Sequence, residues 1–297
     1  MQVVDPHIHL WDLKTHHYPW LANPGISFVG DARDLQHDYL LSDLLKDAQP
    51  VEVLKVVHVE ANHDPADPVE ETRWLQQVAD EPSSRRMPNG IVAGVDLSAP
   101  NAAQVLEGHA AFANTRGVRQ ILNVHENKLY DYIGRHLLRD TTWRANFARL
   151  RQHGMSFDMQ LYPSQMEEAA ALAREHADTQ FIVNHTGMFV DRDSVAGYRA
   201  WREGMRKLAG CANVTVKISG LAMFDHRWTV ESLRPYVLET IDTFGVERAM
   251  FASNFPVDRQ FGSYADLWNA YAAIVGGASD AEKAALFARN AERVYRI

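Results

Sequence analysis

The chain has 297 residues, 46% hydrophobic and 23% charged, the composition of a soluble globular protein with enough length for a sizeable core. Its formal net charge is -8 and its 30 basic residues are scattered, which argues against nucleic acid or an anionic membrane as a partner. No apolar run approaches the ~18 residues of a membrane span, Met1-Gln2-Val3-Val4-Asp5 lacks the marks of a secretion signal, and the single Cys211 rules out an intrachain disulfide or thiolate metal cluster. The expectation is a cytoplasmic protein in which Cys211 is a small buried apolar residue rather than a nucleophile.

The opening strand carries Val3 and Val4 and leads into His7-Ile8-His9. Strand side chains alternate faces, so His7 and His9 share one. Such a pair can grip a divalent metal; the alternative is two histidines with no common role. Lys14 to about Asp38, rich in His, Pro, Gly and Asn, reads as a loop, and Tyr39 to Ala48 as a helix. The second strand is Val53–Glu60, followed by a helix whose start is marked by Asp67, Pro68 and Glu70. A third strand spans Gly90–Asp96, a fourth Gly117–Leu122, a fifth Met155–Gln160, a sixth Phe181–His185, a seventh Val214–Ser219 and an eighth Ala249–Asn254. Helical patterns follow each, with capping boxes expected at Ser164/Glu167 and Ser279/Glu282.

Eight strands alternating with helices predict a parallel sheet with helical crossovers, and in one chain they favour closure into a (β/α)8 barrel over an open sheet. No Gly-x-Gly-x-x-Gly follows a strand, which removes the usual dinucleotide site. Strands buried on both faces should be almost wholly apolar. Each of these instead carries polar residues towards its C-terminal end: His7 and His9, His58 and Glu60, Asp96, Arg119, Asp158 and Gln160, His185, Lys217 and Ser219, and Asn254. Barrel active sites lie at that end, so these residues predict a polar pocket there. Taken singly, a strand-end Asp or Arg more often caps or pairs, His58 reads as a satisfied core histidine, and Trp11 as packing or as one wall of the substrate site. The long first loop and the segment from His125 to Asp140 are placed over the mouth.

These motifs together resemble the amidohydrolase superfamily, its amidohydrolase 2 branch, and within that the sugar-lactone and muconolactone-type lactonases. The likeness rests on Asp5-Pro6-His7-Ile8-His9-Leu10-Trp11-Asp12, Tyr18-Pro19-Trp20-Leu21, Gly117-Val118-Arg119, Phe157-Asp158-Met159-Gln160, Asn184-His185-Thr186-Gly187, Val216-Lys217-Ile218-Ser219-Gly220, Phe251-Ala252-Ser253-Asn254-Phe255-Pro256 and the closing Asn290-Ala291-Glu292-Arg293-Val294-Tyr295. It covers essentially the whole chain and implies one distorted (β/α)8 TIM-barrel domain over 1–297, with a hydrolytic site that opens a lactone.

In the superfamily one or two divalent metals sit on the first-strand histidines, with further histidines on later strands and an Asp ending the eighth. The resemblance therefore makes His7, His9, His185 and Asp158 candidate ligands, with Glu60 a further carboxylate, for zinc or manganese, and leaves metal-independent catalysis open. His7, His9, His185 and Asn254 become the candidate catalytic residues, and Trp11, Glu60, Arg119, Asp158, Gln160 and Lys217 the candidate substrate contacts. The chain departs from the pattern twice: Asp158 and Gln160 stand where many relatives have a histidine, and Asn254 stands in place of the general-base Asp. An amide does not titrate, so Asn254 can orient water or substrate but cannot take a proton; His185 or a metal hydroxide would supply the nucleophile. Arg119 and Lys217 could hold a carboxylate or an oxyanion. Zinc-dependent decarboxylation, hydrolysis of another ester or an amide, and non-catalytic binding of a sugar acid are the other readings. The expected partner is a small lactone or organic acid, and homo-oligomerisation is left open.

Overall fold

β-branched runs and their helical neighbours alternate along the whole chain, and the computed structural model, which describes residues 1–297 with the side chain of Ile26 excepted, closes them into one barrel. The strands are β1 (Gln2–Ile8), β2 (Glu52–Val59), β3 (Gly90–Gly94), β4 (Thr115–Ile121), β5 (Ser156–Gln160), β6 (Phe181–Val183), β7 (Val214–Ile218) and β8 (Ala249–Phe251). Neighbours in sequence are neighbours in the sheet, and every ladder is parallel. Six of the eight strands end one to three residues before the sequence pattern predicts, and at most of these ends the residues outside the ladder are polar ones near the mouth, such as Glu60, His185 and Asn254.

The closure between β8 and β1 is narrow. It is a bridge between Ile8 and Phe255, in which Asn254 N–H donates to His7 O at 2.9 Å and His9 N–H to Phe255 O at 2.8 Å. Asp5 reinforces it: its Oδ1 accepts from Ser253 N–H at 3.0 Å and its Oδ2 from Tyr264 Oη at 2.9 Å. Burial pushes the Asp5 carboxyl up to about 6 against these hydrogen bonds.

Helices cover the outside of the barrel, among them Leu41–Asp47, Glu70–Asp80, Val195–Ala209 and Val230–Phe244. Their apolar faces pack with the outward strand residues into the main core. A smaller core fills the bottom of the barrel, where Val4, Val57, Val92 and Ile182 meet Val294 and Tyr295 of the helix Asn290–Tyr295. That helix acts as a plug, so the interior is open only at the C-terminal ends of the strands.

Two helix starts differ from expectation. The second-strand helix begins at Glu70 rather than at Asp67-Pro68, which form a preceding turn. The Ser164/Glu167 box does not form: the helix Met166–Glu175 has no side-chain cap and is entered through the short turn Pro163–Gln165, in which Tyr162 N–H donates to Gln165 Oε1 at 3.1 Å. The Ser279/Glu282 box is present in both directions. Cys211 is buried and free.

Candidate active site

The polar strand ends form two layers at the mouth. In the upper layer His9, Arg119, Gln160, His185 and Asn254 line one cavity of about 440 Å³. The two loops placed over the mouth complete it, the first through Trp20 and Phe28, the second through Tyr130 and Tyr132. A neighbouring cavity of about 540 Å³ shares Trp20, Asn62, Arg119 and Tyr132 with it and takes in Glu60. In the lower layer lie His7, Asp158 and Lys217, all without exposed surface and none lining either cavity. Residues two apart on a strand face the same way but differ in height, and this separates His7 from His9 and Asp158 from Gln160.

Correcting the expectation, Lys217 and Asp158 are therefore partners of each other and not substrate contacts. Lys217 Nζ donates to Asp158 Oδ1 at 2.6 Å. The carboxylate also accepts from Tyr295 Oη at 2.9 and 3.0 Å and from Asn184 Nδ2 at 2.9 Å. Trp11 is likewise no wall of the site: it is fully buried among Tyr18, Trp20 and Tyr39, with its indole N–H on His37 O at 2.7 Å.

Arg119 is held on three sides in the upper layer. Its Nε donates to Glu60 Oε1 at 2.6 Å, its Nη2 to Glu60 O at 2.6 Å and its Nη1 to Gln160 Oε1 at 3.1 Å. A guanidinium has five N–H donors, so one on each terminal nitrogen is left for the cavity. With one lone pair of its oxygen taken by Arg119, Gln160 still offers its NH2 and the second lone pair to a ligand. Both buried cations of the site are thus already matched by a carboxylate, Arg119 by Glu60 and Lys217 by Asp158.

The histidines are neutral. Burial first, and then nearby Arg119, Lys217 and one another, push His7, His9 and His185 well below the ordinary imidazole range. Their hydrogen bonds set the tautomers. His9 Nδ1–H donates to Val59 O at 2.7 Å, so Nε2 keeps its lone pair. An ammonium can only donate, so Lys217 Nζ, 3.3 Å from His7 Nδ1, makes that nitrogen the acceptor and leaves the ring hydrogen on Nε2. His185 Nδ1 lies 3.1 Å from Ser219 Oγ. His58 belongs to the packing around the site: it accepts from Leu10 N–H at 3.1 Å, and burial lowers its pKa to about 3.

Local backbone geometry aims two of these side chains. His185, Thr186, Gly187 and Met188 all have positive φ, from 49° to 73°, a left-handed turn that costs non-glycine residues about 1–2 kcal/mol each. It is tied down by Trp201 Nε1, which donates to Thr186 O at 2.7 Å. Asn254 is left-handed too, at 62°, a conformation its short polar side chain tolerates. Gly220 makes room beside them: at φ 62° it has no Cβ, which would stand 2.5 Å from His185 Nδ1.

The donors expected to hold a metal do not fit one. Asp158 is spent on Lys217, Tyr295 and Asn184, and the bond from Lys217 leaves His7 with its ring hydrogen on Nε2, a buried nitrogen that has no hydrogen-bond partner among the described residues. Among the described residues no three His, Cys, Asp or Glu side chains are grouped to hold an ion. One carboxylate escaped the sequence reading. Asp258, 3% exposed, accepts from Asn254 Nδ2 at 2.8 Å, and burial pushes it up to about 7. It lies beyond the strand in a turn, where periodicity carries no signal; its only trace in the sequence is a carboxylate four residues after the amide that replaces one.

Barrel, C-terminal mouth and histidine cluster define an amidohydrolase architecture, and the chain belongs to the amidohydrolase family, whose model (the amidohydrolase 2 type) matches residues 4–297. It is 46% identical over 298 residues to the uncharacterised protein y4mH of Sinorhizobium fredii, covering 99% of this chain and 98% of that one. It is 27% identical over 312 residues to the L-fucono-1,5-lactonase of Burkholderia multivorans, covering 99% and 96%. Its fold matches that of an amidohydrolase from Burkholderia multivorans, solved with HEPES and with zinc bound, at a TM-score of 0.80 with 24% and 23% identity and full coverage of both chains. No helix is long and apolar enough to cross a membrane among the described residues.

Proposed function

We propose that this hydrolase opens the ring of an uncharged, polyhydroxylated lactone. The observation that carries the reading is the pairing of both site cations: Arg119 is matched by Glu60 and Lys217 by Asp158, while the three histidines are neutral. A substrate that brings a carboxylate needs an unmatched cation to offset its desolvation. A neutral sugar lactone needs hydrogen-bond donors and acceptors, which Arg119, Gln160, His185 and Asn254 supply around the cavity. The likeness to an L-fucono-1,5-lactonase supports the lactone, and the charge balance favours a sugar lactone over a muconolactone or a substrate for decarboxylation.

In the reaction, water attacks the acyl carbon from the His9 side. The lone pair on His9 Nε2, fixed by the Nδ1–H bond to Val59 O, takes the proton as the new C–O bond forms. Asn254, lacking a titratable group, accepts a hydrogen bond from the same water. His185, whose Nδ1 lies 3.1 Å from Ser219 Oγ, takes the tautomer that accepts there from the hydroxyl and presents Nε2–H to the developing oxyanion, joined by a free Arg119 N–H. The ring C–O bond then breaks, the departing oxygen recovers the proton from His9, and the product is a hydroxy acid. Neutral imidazoles suit a strained ester, a better electrophile than an amide.

The test is a chromatographic screen of neutral aldonolactones against muconolactone-like and aromatic acids. Turnover of a neutral lactone, lost in His9→Gln, is the expected outcome. Turnover of carboxylate-bearing substrates alone, or release of carbon dioxide, would overturn the reading.

A further inference from the structure

Asp258 has no part in the chemistry just described, yet it is a buried carboxylate in contact with a site residue. It sits in the turn Val257–Phe261, and its N–H donates to Asn254 O at 3.1 Å. The side chains then meet, Asn254 Nδ2 donating to Asp258 Oδ1 at 2.8 Å. Its other oxygen, Oδ2, has no hydrogen-bond partner among the described residues. No cation offsets it: Arg259 next door turns away to Asp47, and the groups that face it are the Ala222 backbone and, from the helix Tyr264–Ile274, Tyr271. A buried carboxylate without a cation is costly, and a turn of this kind could be closed by a neutral side chain.

What the carboxylate does that a neutral group would not is distinguish the two ends of an amide. The oxygen and the NH2 of Asn254 are nearly the same size, so packing alone cannot choose between them. Ionised, above the pKa of about 7 to which burial raises it, the carboxylate only accepts. It draws the NH2 to itself and turns Oδ1 the other way, towards the cavity that Asn254 shares with His9. The rest of Asn254 is already fixed, by its left-handed backbone and by its N–H on His7 O at 2.9 Å. The amide flip is the one freedom left to it.

We propose that Asp258 is a positioning residue that locks the Asn254 amide with its oxygen facing the cavity, so that the attacking water gives one hydrogen to Asn254 Oδ1 and the other to His9 Nε2. This rests on the hydrolytic reading above. A water held by both hydrogens has its lone pair directed at the acyl carbon. Were the amide reversed, its NH2 would bond the very lone pair that must attack. The carboxylate that takes no proton from water thus still decides how water is held, from one residue further back.

The test uses the full chain labelled with 15N. The side-chain amide of Asn254 is assigned by its loss in Asn254→Asp. In the wild type its two protons should be widely separated and slow to exchange with solvent; in Asp258→Asn, which can donate or accept, that separation and protection should collapse. On the neutral lactone found by the screen, Asp258→Asn should lower kcat about 10–100-fold while KM stays within about threefold, the mark of lost orientation rather than lost binding. The exchanged pair Asn254→Asp/Asp258→Asn offers only oxygen to the cavity and should recover at least about tenfold of that loss; it also tests the lock if the single variant folds poorly. An unchanged amide signal, an unchanged kcat, or a loss confined to KM would overturn the proposal. If no lactone is turned over, the hydrolytic reading fails, while the amide signal still decides whether Asp258 locks Asn254.

Discussion

Lys217 holds His7 from below: its Nζ lies 3.3 Å from His7 Nδ1 and 2.6 Å from Asp158 Oδ1, and none of the three has exposed surface. The arrangement ties the tautomer of a histidine on β1 to an ion pair between β5 and β7, with Tyr295 of the plugging helix as a further donor to the carboxylate. Removing one member leaves the other charge buried and unmatched, at a cost of roughly 3–5 kcal/mol. Lys217→Met and Asp158→Asn should each lose stability on that scale in urea titrations. The double variant should recover at least half of the summed loss, since it strands no charge. Strictly additive losses would mean that the pair is not the unit described.

The same lysine should set the alkaline limit of activity. Burial pulls Lys217 down to about 8, against the opposing pull of Asp158. Above that pH it becomes an amine, which can accept as well as donate, and so no longer fixes the His7 tautomer. With spontaneous ring opening subtracted, kcat should fall as pH rises through about 8. On the acid side His9 and His185 resist protonation, so the acid limb belongs to Asp258, and kcat should fall as pH drops through about 7. An acid limb at the ordinary histidine value that survives in Asp258→Asn would contradict the burial of these rings.

Acid should also weaken the fold through His58. Its pKa is about 3 in the native state and 6.5 without burial. Between those values the unfolded chain takes up a proton that the folded chain refuses. The contribution of the neutral ring is complete above pH 6.5 and drains away as pH falls towards 3. His58→Gln removes this titration, so its stability deficit relative to the wild type should shrink between pH 7 and pH 4. A deficit independent of pH would show that His58 does not titrate as described.

Gly220→Ala should disturb the site without touching a polar group. The added methyl would stand 2.5 Å from His185 Nδ1 and 2.6 Å from Met223 Cε, at a residue whose φ is 62°. Overpacking and a left-handed alanine together cost about 1–3 kcal/mol. Since His185 must move to admit the methyl, kcat should fall by about 100-fold, the scale of a displacement near 1 Å. Full activity would mean that the ring position is not critical.

Chelation should leave turnover unchanged to within about twofold, and elemental analysis should find far less than one equivalent of zinc or manganese, because a site without a free set of ligands binds such ions weakly. Stoichiometric metal, or activity restored only by adding it, would contradict the ligand assignments made for His7 and Asp158.

The barrel was legible because its strands are short runs rich in apolar and β-branched residues, each with polar residues towards its C-terminal end. The same pattern located His9, Arg119, Gln160, His185 and Asn254. It could not separate layers: Asp158 and Gln160, two residues apart on β5, share a face, but only Gln160 reaches the cavity. Height depends on strand tilt and register, which no single strand encodes. Nor could it foresee Tyr295, whose hydroxyl reaches Asp158 across 137 residues, or Asp258, which lies in a turn without period.

The narrow closure between β8 and β1 also makes two backbone protons informative. The amides of His9 and Asn254 are the stitches between the first and last strands, and both residues face the cavity. Opening of the seam and departure of a ligand would release the same two protons to solvent. Hydrogen exchange at these positions, read with and without ligand, would therefore report barrel breathing and site occupancy on one clock, and a ligand that slows exchange there would be bracing the barrel at its last-closed joint.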